Sequence, residues 1–223
     1  MNTRIIYAAS SAQPPVVKKY TAIAFDLLNV LLDWQPKQQV QDLFPNTNAV
    51  EIIVTILKSA PWRDFNRGTI SLSELAHVTH HLYGFNTEFT QQILTALPQQ
   101  LPEITRGLDI LHAAKSQGYK VYALSNAPKP FLEALIQNHH FFELFDGIMA
   151  SYEVGSRKPE PAPYIAFLKK FSINPADLFF IDDLAANVQA GADLGIDGAV
   201  CENHEQVIQL MIEHGILKPE PPL

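Results

Sequence analysis

Three short apolar runs in this chain each end in residues able to do chemistry. Thr21-Ala-Ile-Ala-Phe25 runs into Asp26, Lys120-Val-Tyr-Ala-Leu124 into Ser125-Asn126, and Leu178-Phe-Phe-Ile181 into Asp182-Asp183. Taken singly, an Asp after a strand reads as a turn residue, and Ser-Asn or Asp-Asp as a helix cap. Together, in this order and each at a strand end, they point to one site. Carboxylates crowded there repel one another, and each is pushed toward its neutral form unless a cation compensates. Oxygen ligands without histidine or cysteine suit a hard ion, and Mg²⁺ is the expected one. Mg²⁺ keeps water and substrate oxygens in its shell, so a phosphate would complete it. Lys158, in Arg157-Lys-Pro-Glu-Pro161, and the Ser125 hydroxyl would meet the remaining phosphate oxygens. A carboxylate facing phosphorus can attack in line and form an aspartyl-phosphate.

These groups converge only if the runs are parallel strands, because parallel strands share one C-terminal edge where ligands bind. The pattern after Pro102 supports this. Strands are expected near 120–124, 148–150, 178–181 and 198–200. Helices are expected from Ile104 to Gly118 (with Ile104, Leu108 and Leu111 on one face) and near 129–139, 160–171, 185–194 and 204–214. Alternating strands and helices predict a doubly wound parallel α/β sheet. Between them, residues 37–103 carry helical period and little strand signal. Ile52, Ile53, Ile56 and Leu57 form one stripe, and Ser71 with Glu74 has capping-box spacing that starts a helix near 72. The expected organisation is an α/β core from 1–36 and 104–223 with an all-helical insert of four or five short helices at 37–103. Residues 1–19 read as a lead-in, and Pro219 to Pro222 as a short tail.

Composition narrows the classes. With 223 residues, 47% of them hydrophobic, the chain can bury a sizeable core. A formal charge of −7 disfavours binding to phosphate backbones, so no nucleic-acid partner is expected. No apolar run is long enough to span a bilayer, and Ile5 to Ala9 is a poor signal segment. The single Cys201 excludes an internal disulfide and reads as an inert core thiol in a reducing, cytoplasmic setting. His77 and His81 have metal-ligand spacing, but no Glu intervenes in the zinc-protease pattern. Trp34, Trp62 and Phe65 are candidates for lining a cleft between insert and core, and Arg63 or Arg67 for reaching a substrate from it.

At these residues the sequence resembles the haloacid dehalogenase-like hydrolase superfamily, in the branch with a helical cap inserted after the first strand. Phe25-Asp-Leu-Leu-Asn-Val30, Leu124-Ser-Asn126, Arg157-Lys-Pro-Glu-Pro161 and Phe180-Ile-Asp-Asp183 look like its four motifs in order, and Asn187, Ala190 and Leu194-Gly195 continue the fourth. The cap segment from Pro61 to Ser71 is similar to that of sugar-phosphate-type phosphatases. The resemblance implies a Rossmann-like core and a Mg²⁺-dependent phosphatase of a small phosphorylated metabolite. Asp26 would be the nucleophile. The Leu28 carbonyl and the carboxylates of Asp26, Asp183 and Asp182 would bind the ion, and Ser125, the Asn126 amide and Lys158 would hold the phosphoryl group. Leu28 departs from the pattern, because most phosphatases of the family carry a second Asp there as general acid and base. Two other readings follow from that departure. One is a phosphate-binding regulatory protein with little turnover. The other is a 2-haloacid dehalogenase, which needs no metal and against which the Asp182-Asp183 pair argues.

Overall fold

The computed structural model describes residues 5–6 and 20–218. Six strands form one sheet: β1 (Ile5–Ile6), β2 (Ala22–Phe25), β3 (Lys120–Ser125), β4 (Gly147–Ala150), β5 (Leu178–Asp182) and β6 (Asp197–Val200). Their order is β1-β6-β5-β2-β3-β4, and every pairing is parallel. The α/β doubly wound, Rossmann-like expectation holds. β1 was not anticipated within the lead-in, because two residues carry no period. The rest of the lead-in and the tail from Pro219 lie outside the described residues.

The central strands are apolar on both faces because helices cover both. Ile23, Phe25, Val121, Ala123, Phe179 and Ile181 point into one cluster, completed by α6 (Thr105–Ser116), α7 (Lys129–Asn138) and α10 (His204–Glu213). Their alternates Ala22, Ala24, Tyr122, Leu124, Leu178 and Phe180 point into the other, against α8 (Pro161–Phe171) and α9 (Ala185–Ala192). The period of two is that of a strand buried on both sides. β2 lies between β3 and β5, where the winding changes direction, and Asp26 follows its last residue. A ligand crevice forms at such a switch point.

The buried face of α6 differs from the expected one. It consists of Gly107, Ile110, Leu111 and Ala114, while Ile104 is the N-cap. Gly107 has no side chain, so it leaves no mark in a hydrophobic pattern. Yet a Cβ there would lie 2.0 Å from the Val30 carbonyl oxygen. The helix is pressed against the loop that follows Asp26.

Between β2 and α6 lie α1 (Pro36–Leu43), α2 (Ala49–Lys58), α3 (Ala60–Asn66), α4 (Leu72–Tyr83) and α5 (Thr87–Ala96). Ser71 and Glu74 form the anticipated capping box of α4, and Ser59 caps α3 by accepting from the Trp62 N–H. These helices bury a cluster of their own, including Ile52, Ile53, Ile56, Phe65, Leu75, Ile93 and Leu94, which Phe131 of α7 enters from below. Leu57 packs at the edge of this cluster, half-buried, and also lines a cleft.

Candidate active site

Lys158 is the hub of the strand-end crevice. Its ammonium is 1% exposed, the most deeply buried cation among the described residues. Nζ lies 2.6 Å from Asp182 Oδ2, 2.9 Å from Asp26 Oδ1, and donates at 2.6 Å to the Leu124 carbonyl. Three N–H donors thus meet three acceptors. The Asn126 side chain anchors the lysine's backbone from both sides. Its Nδ2 donates to the Lys158 carbonyl at 3.0 Å, and its Oδ1 accepts from the Lys158 N–H at 2.8 Å. Nζ also sits 5.2 Å over the Phe180 ring.

The three carboxylates differ in their duties. Asp182 is fully buried and saturated: Oδ2 takes Lys158, while Oδ1 accepts from the Leu184 N–H and Asn187 Nδ2 at 2.9 and 2.8 Å. Asp183 is half-buried and accepts from Asn29 Nδ2 at 2.9 Å. Asp26 faces the cleft. One oxygen from each lies within 4.8 Å of the others, the sole such cluster among the described residues. Burial pushes the Asp26 carboxyl up to about 7, against the pull of Lys158 and with Asp182 and Asp183 adding to the rise. Burial alone would lower the Lys158 ammonium, but Asp182 and Asp26 outweigh it and hold it above its ordinary value.

The donor set fits a hard divalent ion. It is all oxygen, it is crowded with negative charge, and Asp26 and Asp183 keep unshared oxygen capacity close to one another. The Leu28 carbonyl receives no hydrogen bond from any described residue, which leaves it available as a further oxygen ligand. Ser125 lines the same cleft, its Oγ accepting from the Ala127 N–H at 3.2 Å.

The sequence-expected residues Asp26, Leu28, Ser125, Asn126, Lys158, Asp182 and Asp183 therefore meet at one edge of the sheet. Trp34 and Trp62 line the cleft, while Phe65 packs behind Trp62 and Phe131. Arg67 does not reach it, being tied to Glu160 at 2.5 Å, and Arg63 is exposed. His77 bonds to its own helix at the Ser73 carbonyl, with no metal cluster around it among the described residues. Cys201 is buried, which pushes its thiol up to about 12 and keeps it inert at neutral pH.

Two positioning residues were given no role from sequence. Asn29 stands in the left-handed region at φ 60, which asparagine tolerates better than most residues. From there it donates to Asp183 and accepts from the Trp34 N–H. Asn187, one turn into α9, fixes Asp182. Asn29 within the first motif was the available signal for the former, and the strand-to-helix spacing Asp182 to Asn187 for the latter.

A family model described as haloacid dehalogenase-like hydrolase matches residues 20–195. Sesquiterpene phosphatase astK of Aspergillus oryzae is 30% identical over 179 residues, spanning 80% of this chain and 88% of that protein. Among solved structures, a HAD family enzyme of Bacteroides thetaiotaomicron superposes with a TM-score of 0.67 at 23% identity, over 86% of this chain and 99% of its own. The same enzyme has been solved with magnesium and inorganic phosphate. L-2-haloacid dehalogenase of Xanthobacter autotrophicus gives a TM-score of 0.65 at 17% identity, over 90% and 85%.

Proposed function

The chain belongs to the haloacid dehalogenase-like hydrolase family, and from that premise we propose that it is a Mg²⁺-dependent phosphomonoesterase. The observation that carries this is the buried Lys158 joined to Asp26 and Asp182, beside a third carboxylate, Asp183, with oxygen capacity to spare. A dehalogenase has no need of that extra anionic charge. The phosphatase name of the 30% identical relative supports the same reading.

Asp26 is the nucleophile in this proposal. One of its oxygens attacks phosphorus, the bond from phosphorus to the ester oxygen breaks, and the alcohol leaves with a proton taken from water. Water then attacks phosphorus of the aspartyl-phosphate, inorganic phosphate departs, and the carboxylate is restored. Lys158 pulls Asp26 toward its ionised form and holds it in place, and Ser125 Oγ–H and the Asn126 amide hold phosphoryl oxygens. Asp26, Asp183 and the Leu28 carbonyl would hold the ion, which supplies positive charge against the phosphoryl oxygens when bound. Asp182 keeps Lys158 charged and fixed. Residues 37–103 act as a cap that closes over the crevice and excludes water.

The test uses the purified chain with p-nitrophenyl phosphate and acetyl phosphate, with Mg²⁺ or with chelator. Phosphate release is expected only with Mg²⁺, and Asp26→Asn should lower kcat by at least ~10³-fold with the fold intact. Halide release from a 2-haloacid without metal, and no phosphate release with it, would replace this reading by the dehalogenase one.

A further inference from the structure

We propose that the substrate's organic group is a hydrocarbon: the site takes the phosphomonoester of an apolar alcohol rather than a sugar phosphate or a phosphorylated hydroxy acid. This rests on the phosphatase reading and adds the identity of the leaving group. A cleft of about 110 Å³ opens directly beside Asp26 and Ser125. Its wall is made by Leu28, Trp34, Leu57, Trp62, Leu101 and Phe131. These come from separate places: the loop after β2, the two connections to the insert, the end of α2, α3, and the start of α7. Elements far apart in sequence thus present one continuous apolar and aromatic surface to whatever is attached to the phosphoryl group.

What is missing from the wall is as specific. Among the described residues no arginine or lysine lines the cleft, and Arg67 of the insert is committed to Glu160 and Asp64. A carboxylate on the substrate would be desolvated without a counter-charge. Apart from the indole N–H groups and the strand-end residues, the polar lining is the Asn66 side chain. Its Oδ1 is buried and has no donor among the described residues. It can accept from a substrate hydroxyl. A polyol needs a partner for each of its hydroxyls, and every one buried without a partner weakens binding by ~10-fold or more. A branched alkyl or alkenyl chain meets no such penalty and gains the indole and leucine faces. Leu28 belongs to the same wall.

The experiment compares kcat/KM, at saturating Mg²⁺, for 3-methylbut-2-enyl phosphate, glycerol phosphate and phosphoglycolate. Acetyl phosphate serves as a phosphoryl donor with almost no organic body. The branched alkenyl ester should exceed the two polar esters by ~10²-fold, and Leu57→Gln should narrow that ratio by about 10-fold. If acetyl phosphate is hydrolysed while the polar esters match or beat the alkenyl one, the apolar inference is overturned and the phosphatase reading stands. The inference is also overturned if Leu57→Gln leaves the ratio unchanged. If acetyl phosphate and all three esters yield no phosphate, the phosphatase reading itself fails and takes the inference with it.

Discussion

Asp182 illustrates how little a residue's type says about its task. Its neighbour Asp183 has the same side chain, yet one is saturated by Lys158, Leu184 and Asn187 while the other is half-buried and accepts from Asn29. The sequence showed that Asp26, Ser125, Asn126, Asp182 and Asp183 stand at strand ends, which parallel strands bring together, and that Lys158 opens a helix on the same side. It did not show the division of labour, which depends on which oxygen points at Nζ. It also did not show Asn29, whose contribution needs a left-handed backbone. Because Lys158 is 1% exposed and Asp182 0%, removing one partner strands the other in a medium that cannot solvate it. Asp182→Ala should therefore destabilise the metal-free protein by about 3 kcal/mol, measured by urea unfolding. A loss below ~1 kcal/mol would mean that Asp26 and the Leu124 carbonyl suffice to hold the ammonium. The same variant should lose activity even when folded, since Lys158 would no longer be fixed against Asp26.

At the scale of elements, the strands and helices after Pro102 were legible because short apolar runs alternate there with 3.6-residue stripes. The capping box of α4 gave its start to the residue. Two features were not legible. β1 is too short to carry a pattern and is held by its partner, β6. The packing face of α6 is led by a glycine, whose role is the absence of atoms. Gly107 lets α6 approach the Val30 carbonyl, and His204 Nε2 bonds that same carbonyl at 2.8 Å from the start of α10. Together they press on the loop that carries Leu28 and Asn29. In an ordinary helix interior Gly→Ala stabilises by about 1 kcal/mol. Here a methyl group 2.0 Å from a carbonyl oxygen forces backbone to move, so Gly107→Ala should destabilise by ~1–3 kcal/mol despite its better propensity. Thermal unfolding gives the sign directly, and a raised melting temperature would show that the loop yields without cost.

Over the whole molecule, the helical insert is joined to the sheet by what is physically a single neck. Asp33 donates to the Pro102 carbonyl at 2.8 Å and Ile104 to the Leu31 carbonyl at 2.9 Å, so the outgoing and returning chains are paired. A paired neck allows pivoting as a unit more readily than independent movement of two linkers. Away from the neck, the insert touches the core at a second place. Arg67 pairs with Glu160, the Ser151 hydroxyl donates to the Asn66 carbonyl, and Gly68 lies against Tyr152. This latch uses the Arg157–Pro161 segment that also carries Lys158, so cap position and site geometry share a piece of backbone. The ion pair has side chains 27% and 41% exposed, and such pairs contribute about 0–1 kcal/mol to stability. Its consequence is thus expected in the opening of the cap rather than in the melting of the fold. Glu160→Ala should shift the melting temperature by less than ~2 °C, yet accelerate amide exchange across residues 64–70 and 151–153 relative to the strand amides of β5. Ser156→Ala, which removes only the Ser156 hydrogen bond to Glu160, should accelerate it far less. Equal exchange in wild type and Glu160→Ala would show that the Ser151 and Gly68 contacts, with Phe131 packed in the insert's cluster, hold the cap closed without the ion pair.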